Sequence, residues 1–385
     1  MEAETKPIAP KDIPHDDIGP EYVVETYDPE LKSRGILVID NTNLGPGKGG
    51  IRMTPSVTPH EVFRLARAMT YKNALAGLPF GGAKAGIIAD PKSFSKAHKR
   101  SVIESFARSL KPLIPSHYIA GPDMNTTEVE MEQFSRAHGL WESATGKPAT
   151  FCTKKGGVKK CGLPHELGST GFGVALATQT AVDHKGLLMS ELTVSIAGYG
   201  NVGQFAHKFL QERGAKIIAV SDSSGTIYDR KGFDYATLLD IKIKTGSVAK
   251  YPGAKRLTRE IIYEITTDIL IPAAGPDVIN ETNVSRVKAQ IIVEGANIPM
   301  AETYETQLYR KDTLIIPDII ANAGGVISSY AEYKGFNEKK MFKLVEEKIV
   351  LNVKEILETV TKGTLTPRAA ALKIARHRVM AGKKK

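Results

Sequence analysis

A continuous β-rich run, LTVSIA at residues 192–197, leads straight into GYGNVG at 198–203. A helical stretch follows, ending near Gly214, and then a second apolar run at 216–220. Nothing else in the chain constrains the fold as tightly. Glycines spaced GxGxxG between a strand and a helix, in a unit of about thirty residues, mark a dinucleotide-binding βαβ unit. Gly198 permits the tight turn, Gly200 lets a pyrophosphate approach the backbone, and Gly203 lets the helix pack on the strand. Asn201 and Val202 open the helix, whose free amides face the phosphates. Asp222 stands nineteen residues beyond Gly203, followed by Ser223. An acidic group there accepts a ribose 2′-hydroxyl, which favours NAD. Ser223, Ser224 and the more distant Arg230 could instead receive a 2′-phosphate, so NADP and dual specificity stay open.

Two more buried-strand candidates lie at 268–271 and 290–293, and strands alternating with helices imply a parallel sheet. The first half mixes a strand-like run at 34–40 with helices at 57–77, 95–110 and from Thr126–Thr127 through His138. In the first of these, Thr58, Pro59 and Glu61 supply an N-cap, a proline in the first turn and a capping-box partner, and Gly77 supplies the stop. The reading is an α/β chain of two domains, with the junction near 165–185. A long helical region at 338–379 has no strand to pair with and is expected to pack against the first domain.

Composition excludes several classes. With 42% hydrophobic and 24% charged residues, the chain resembles ordinary soluble proteins. No apolar stretch approaches eighteen residues, so no membrane helix is expected. The start, MEAETKPIAPKDIPHDD, has neither a basic opening nor an apolar core, and is not expected to be a secretory signal. Cys152 and Cys161 are too few for a disulfide framework and fit no zinc spacing; the expected setting is the reducing cytoplasm. The net charge is +10, and its sources are local. Seven basic residues fall between Thr366 and Lys385, and Lys154, Lys155, Lys159 and Lys160 crowd one loop. A solvated tail and loop account for the charge, and nucleic-acid binding is not expected.

Three lysines carry the chemical interest. Lys72 follows Val62, Leu65 and Met69 at helical spacing, on what reads as a buried face, where a cation is costly unless paired or used. Lys84 sits in PFGGAKAG (79–86), wrapped by small residues, and Lys48 in GPGKGGIR (45–52). Read as glycine-rich loops, both segments let a substrate approach closely. A shielded lysine has its pKa lowered and can serve as a base near neutral pH. Together the three suggest a site for an anion such as a dicarboxylate. Asp123, in GPDMN (121–125), reads either as a turn or capping residue or as a proton-transfer partner for a catalytic lysine.

With these motifs in place, the sequence resembles the glutamate dehydrogenase family of amino-acid dehydrogenases over residues 20–380. The shared segments are GPGKGGIRMTPSV (45–57), MTYK (69–72), LPFGGAKAGI (78–87), GPDMNTTE (121–128), GSTGFGV (168–174), GYGNVG (198–203), VEGAN (293–297) and PDIIANAGGVISSY (317–330). The resemblance implies a substrate-binding and oligomerisation domain over 1–170, joined by the C-terminal helical region 335–385. A Rossmann-type dinucleotide-binding domain would span 171–334, with a cleft between the two.

It also implies roles. Lys84 matches the catalytic lysine and Asp123 the proton-transferring aspartate. Lys48 and Ser329 match the contacts to the substrate's side-chain carboxylate and Lys72 the contact to its α-carboxylate, while Met69 and Pro122 line the pocket. Thr170, Asn201, Asn297 and Asn322 match contacts to the dinucleotide. The implied reaction is reversible NAD(P)-dependent oxidative deamination of L-glutamate to 2-oxoglutarate and ammonia, without a metal, in a homo-oligomer that the family makes hexameric. A branched-chain or aromatic amino-acid dehydrogenase is the alternative, though such relatives carry an apolar residue where Lys48 stands. A non-catalytic dinucleotide- or nucleic-acid-binding protein would not need the Lys84–Asp123 pair. Residues 151–162 and the segment GANIPMAE (295–302) depart from the family pattern.

Overall fold

The computed structural model describes residues 13–164 and 167–383. Residues 1–12 of the segment read for a signal, and Lys384 and Lys385 of the basic tail, lie outside the described residues. The chain divides into two compact units. The first runs to Pro164 and takes back Ser328–Met341 and the chain from Ala375 onward; the second runs to Ile327 and takes back Phe342–Ile374.

The first unit is built from β1 (Tyr22–Asp28), β2 (Ser33–Asn41), β3 (Gly47–Thr54), α1 (Pro59–Leu75), β4 (Gly81–Ile88), α2 (Lys96–Ser109), β5 (Tyr118–Pro122) and α3 (Glu128–His138), followed by a hairpin of β6 (Cys152–Lys155) and β7 (Val158–Cys161). The sheet order is β1-β2-β4-β3-β5. β3 runs parallel to β4 and β5, while β1 and β2 are antiparallel neighbours. Period-2 alternation divides the side chains between two faces. Leu37, Ile39, Ile51, Met53, Ala83, Ala85 and Ile87 pack with Val102, Ile103 and Phe106 of α2 and Met131 and Phe134 of α3. On the other face, Ile36 and Val38 meet Val62, Phe63 and Ala66 of α1.

Helix ends follow the sequence. Thr58 caps α1 through Glu61 N, with Pro59 in the first turn. Thr127 and Glu130 close a reciprocal capping box on α3. Glu61 does not complete the box expected of it; its carboxylate bonds Arg52 instead.

The two cysteines, expected to form no disulfide framework, face each other across the β6–β7 hairpin and are joined by a disulfide. Their pairing follows from strand register rather than from a larger framework.

The second unit comprises α4 (Ser169–His184), β8 (Thr193–Ala197), α5 (Asn201–Gln211), β9 (Lys216–Asp222), β10 (Gly225–Tyr228), α6 (Tyr235–Thr245), β11 (Lys255–Leu257), β12 (Ile269–Pro272), β13 (Ile291–Val293), α7 (Glu302–Tyr309), β14 (Leu314–Ile316) and α8 (Asp318–Ala321). α9 (Gly324–Lys334), α10 (Glu338–Thr361) and α11 (Pro367–Gly382) each pass from one unit's residues to the other's. The sheet order is β11-β10-β9-β8-β12-β13-β14. Its five strands from β9 to β14 are parallel, and β10 and β11 form an antiparallel edge.

The expected assignment of all of 335–385 to the first domain is corrected here, because residues 342–374 belong to the second unit. The reason is electrostatic as well as apolar. Arg368 is buried against Glu294, Glu305 and Asp318, and α10 buries Val345, Ile349, Val353 and Ile356 at helical spacing. The basic tail is therefore largely helix α11, with Arg368 held in the ion cluster and Lys373, Arg376 and Lys383 exposed to solvent as expected. Among the described residues no helix is long and apolar enough to cross a membrane.

Candidate active site

Glycines clear the floor of the first unit's sheet. A methyl group on Gly82 would lie 2.2 Å from the backbone nitrogen of Thr70, and one on Gly50 would lie 2.5 Å from the Pro122 carbonyl oxygen. α1 and β5 thus approach the sheet at backbone distance, which only glycine allows. This corrects the reading of two glycine-rich loops: Lys48 and Lys84 stand inside strands β3 and β4. Glycine reads as punctuation in a sequence, but in a sheet it also marks close backbone contact.

Register puts the chemistry on one face. Lys48 pairs with Gly82 and Ile119, and Val38, of the α1 face, pairs with Lys84. Alternation then places Lys48, Gly50 and Arg52 of β3, and Gly82, Lys84 and Gly86 of β4, on that same face.

Lys84 is 8% exposed, and its Nζ is 3.1 Å from Asp123 Oδ2. Arg52 Nε donates to the same oxygen at 3.0 Å. Burial pulls the Lys84 ammonium below its ordinary range, and Asp123 opposes this only in part. Burial pushes the Asp123 carboxyl up, but Lys84 and Arg52 outweigh it and hold the acid below the usual carboxylate value. The pair is thus a carboxylate whose ionised form is favoured, beside a lysine that gives up its proton more readily than a free one. The Asp123 backbone N–H donates to Thr126 Oγ1 at 3.0 Å, which fixes the turn that carries it.

Lys48 is 4% exposed, and no hydrogen bond or ion pair closes on its ammonium among the described residues. Its Nζ lies over Gly121, 2.5 Å from where a Cβ would stand, with Thr145 Oγ1 3.8 Å from the same point. That hydroxyl is buried and has no partner among the described residues. An unpaired buried cation beside an unpaired buried hydroxyl is costly unless a ligand completes both. Burial depresses the Lys48 pKa to about 7, Glu332 opposes the shift, and Lys84 and Lys147 add to it.

Glu332, on α9, is fully buried. It receives the backbone N–H groups of Gly146 at 2.9 Å and Leu163 at 2.9 Å, and the Lys147 ammonium at 2.7 Å. Ser329 lies one helical turn before it and is 9% exposed, with no hydrogen bond to Lys48 among the described residues. Phe80 holds this part of α9 through edge contacts with Tyr330 and Tyr333. Met69 and Lys72 share a half-buried stripe of α1 with Leu65, and Pro122 is half-buried at the end of β5. The α1 core face is instead Val62, Ala66, Thr70 and Asn73, so Lys72 is not on the buried face that the spacing suggested.

Arg52, Thr145, Lys147 and Glu332 were not singled out from the sequence. Arg52 becomes legible only once 47–54 is known to be a strand: four residues past Lys48, it shares that residue's face. Nothing local marked Glu332, whose partners lie 169 to 186 residues away in the chain.

In the second unit Gly198 and Gly203 have the local sterics expected of them, and Gly200 faces open space. Gly198 has φ +99°, a methyl on Gly203 would meet Gly198 O at 2.0 Å, and one on Gly200 would meet nothing within 4 Å. α5 starts with no side-chain cap, so a dinucleotide pyrophosphate fits over Gly200 against the amides of Asn201, Val202 and Gly203. Thr170 is in the first turn of α4. Asn322 Nδ2 donates to Asn297 Oδ1 at 2.9 Å, so these two candidate contacts come together.

Asp222 behaves differently from the expectation. Its carboxylate accepts Lys242 Nζ at 2.7 Å, Val248 N at 2.8 Å, Ser224 N at 2.9 Å and Ser247 Oγ at 3.1 Å. No lone pair remains for a ribose hydroxyl, and Lys242 neutralises the charge that would repel a 2′-phosphate. The preference for NAD drawn from Asp222 is therefore not supported. Ser223 and Ser224 stay exposed at the turn beside it.

Comparison with known proteins bears on this geometry. The sequence matches the family described as Glutamate/Leucine/Phenylalanine/Valine dehydrogenase over residues 161–385. It matches the family's N-terminal part, described as a dimerisation domain, over residues 21–138. A glutamate dehydrogenase from Aeropyrum pernix is 39% identical, over 88% of this chain and 82% of the relative. An NADP-specific glutamate dehydrogenase from Saccharolobus shibatae is 40% identical, over 76% of this chain and 69% of the relative. Among solved structures, a hetero-hexameric glutamate dehydrogenase from Thermus thermophilus, in a leucine-bound form, superposes with a TM-score of 0.82 at 26% identity, covering 95% of this chain and 89% of that one.

Proposed function

Since the chain belongs to the glutamate/leucine/phenylalanine/valine dehydrogenase family, and is an amino-acid dehydrogenase, we propose that its substrate is L-glutamate, deaminated reversibly to 2-oxoglutarate and ammonia. The observation that carries this reading is Lys48. A buried ammonium with no anion of its own, beside the orphan Thr145 hydroxyl, asks for a carboxylate on the substrate's side chain. A branched-chain or aromatic substrate would leave that charge unpaired, at a cost of several kcal/mol.

Each residue of the first unit then has a task. Lys48, Thr145 and Ser329 receive the side-chain carboxylate and Lys72 the α-carboxylate, with Met69 and Pro122 along the aliphatic stem. Ionised Asp123 accepts a proton from the substrate's ammonium group. Lys84, its pKa lowered by burial, takes a proton from the water that attacks the imine carbon and then stabilises the carbinolamine. Arg52 keeps Asp123 ionised. Fixing both carboxylates orients the α-hydrogen. The coenzyme, held by Gly198, Gly200, Asn201, Val202, Gly203, Thr170, Asn297 and Asn322, supplies the hydride acceptor. With Asp222 committed to Lys242, the turn at Ser223 and Ser224 admits the 2′-phosphate of NADP as well as NAD. The protein acts as a homo-oligomer, and likeness to the hetero-hexameric Thermus thermophilus enzyme favours six subunits.

The test is a substrate comparison in the wild type and Lys48→Leu, with NADH and NADPH in parallel. Lys48→Leu should lower kcat/KM for 2-oxoglutarate by about a hundredfold or more while sparing a branched-chain 2-oxo acid. Equal loss on both substrates would refute the role given to Lys48. Turnover with NADH alone would refute the account of Asp222.

A further inference from the structure

Arg368 of α11 sits among three carboxylates inside the second unit. Its Nε donates to Glu305 at 2.7 and 2.8 Å, and one Nη donates to Glu294 Oε2 and to Asp318 Oδ1, each at 2.8 Å. One guanidinium cannot neutralise three anions in an apolar interior. Burial, and then the neighbouring Glu305, raise the Glu294 carboxyl well above the usual range. Glu294 Oε1 has no hydrogen-bond partner among the described residues, and burial raises the Glu305 carboxyl as well.

The cluster is wired to a strained turn. Glu294 Oε2 accepts the Asp318 backbone N–H at 2.8 Å, and Asp318 Oδ2 accepts the Ile298 backbone N–H at 2.9 Å. Ile298 has φ +49°, a left-handed conformation that is costly for a β-branched residue. It is also 47% exposed, so burial of its side chain is not what fixes it. Such strain persists where surrounding contacts over-determine it: the Ile298 carbonyl accepts the Asp277 N–H at 3.0 Å, and the Ile298 N–H is held by Asp318, which leads back to Arg368. Asn297, the preceding residue, is the partner of Asn322.

Resting on the coenzyme role proposed above for Asn297 and Asn322, we propose that Arg368 is a positioning residue for coenzyme binding: acting through Asp318, it holds the Ile298 turn in its left-handed form and so places Asn297. Arg368 touches neither substrate nor coenzyme in this scheme.

The test uses the full-length protein and a fluorescence titration with NADPH, or with NADH if the wild type binds it more tightly, alongside steady-state rates. Arg368→Met should weaken coenzyme binding about tenfold or more, with kcat at saturating coenzyme held within about threefold. Ile298→Gly removes the strain, so in the Arg368→Met background it should recover most of that loss, while changing binding less than about twofold in the wild type. If Arg368→Met is insoluble, Arg368→Lys, which cannot span three carboxylates, should lose about threefold and be rescued in the same way. Unchanged coenzyme affinity in the soluble Arg368 variant, even with a lowered Tm, would overturn the proposal, and so would purely additive effects with Ile298→Gly. A wild type that binds neither coenzyme would instead refute the function proposed for the whole site.

Discussion

Lys48 should make substrate binding dependent on pH, in a direction the structure fixes. Its pKa in the free protein is about 7, depressed chiefly by burial, so the ammonium is half-protonated near neutrality and largely neutral above pH 8. A dicarboxylate needs the charged form, and once bound it restores the partner the cation lacks. Binding must therefore take up a proton as pH rises above 7. With that pKa, the apparent Kd for glutarate should weaken by about a hundredfold between pH 6 and pH 9, and about 0.9 proton should be taken up per glutarate bound at pH 8. Calorimetric titrations with glutarate in two buffers of different ionisation enthalpy measure that uptake directly. Lys84 also has a lowered pKa, so Lys48→Met is the control: it should abolish the uptake and flatten the profile.

The same burial carries a stability cost. From pH 7 to pH 10.5 the unfolded chain binds a proton at Lys48 that the folded one does not, so this group's contribution to stability improves as pH rises through that window. The cost at pH 7 is at most about 4 kcal/mol, and Lys48→Met should raise the Tm of the ligand-free protein while ruining glutarate binding. Wild-type glutarate affinity that is flat from pH 6 to pH 9, with no proton uptake, would refute the reasoning.

Gly200→Ala should leave Tm within about one degree, because its Cβ would meet nothing, yet weaken coenzyme binding by about tenfold where the pyrophosphate approaches. Gly203→Ala should lower Tm instead, since its Cβ would meet Gly198 O at 2.0 Å; thermal melts and a fluorescence titration separate the two. Arg52→Met removes one of the two cations that hold Asp123 below the usual carboxylate range. Activity needs the ionised carboxylate, so the acid limb of the kcat/KM profile for glutamate should move to higher pH, and an unmoved limb would show that Arg52 does not set the charge of Asp123.

The strand–glycine–helix unit was legible because its parts are contiguous, and local sterics fix what Gly198 and Gly203 must do. The caps of α1 and α3 were legible for the same reason. The face of α1 that carries Lys72 was misjudged because Leu65 and Met69 are apolar but only half-buried; the buried stripe includes Thr70 and Asn73, whose polarity conceals it. The strands β3 and β4 were hidden by their glycines, which the fold requires for close approach of α1 and β5. Asp222 was placed correctly in sequence but misread in chemistry, because three of the four donors that fill its lone pairs, Lys242, Ser247 and Val248, come from α6 and the turn after it. Glu332 and the acids around Arg368 draw on segments far apart in the chain, and no local pattern announces them. Likewise Cys152 and Cys161 looked inert until the hairpin register set them face to face.

The central claim is that Lys84 and Asp123, on the glycine-floored sheet of the first unit, carry out chemistry on a dicarboxylate. Its most direct test is NADPH oxidation dependent on both 2-oxoglutarate and ammonium, measured for the wild type and for Lys84→Ala, with coenzyme binding checked in each. The account predicts turnover by the wild type and a loss of at least about a thousandfold in the variant with coenzyme affinity retained. Undiminished turnover by Lys84→Ala, or a folded, coenzyme-binding wild type with no turnover of 2-oxoglutarate, would contradict it.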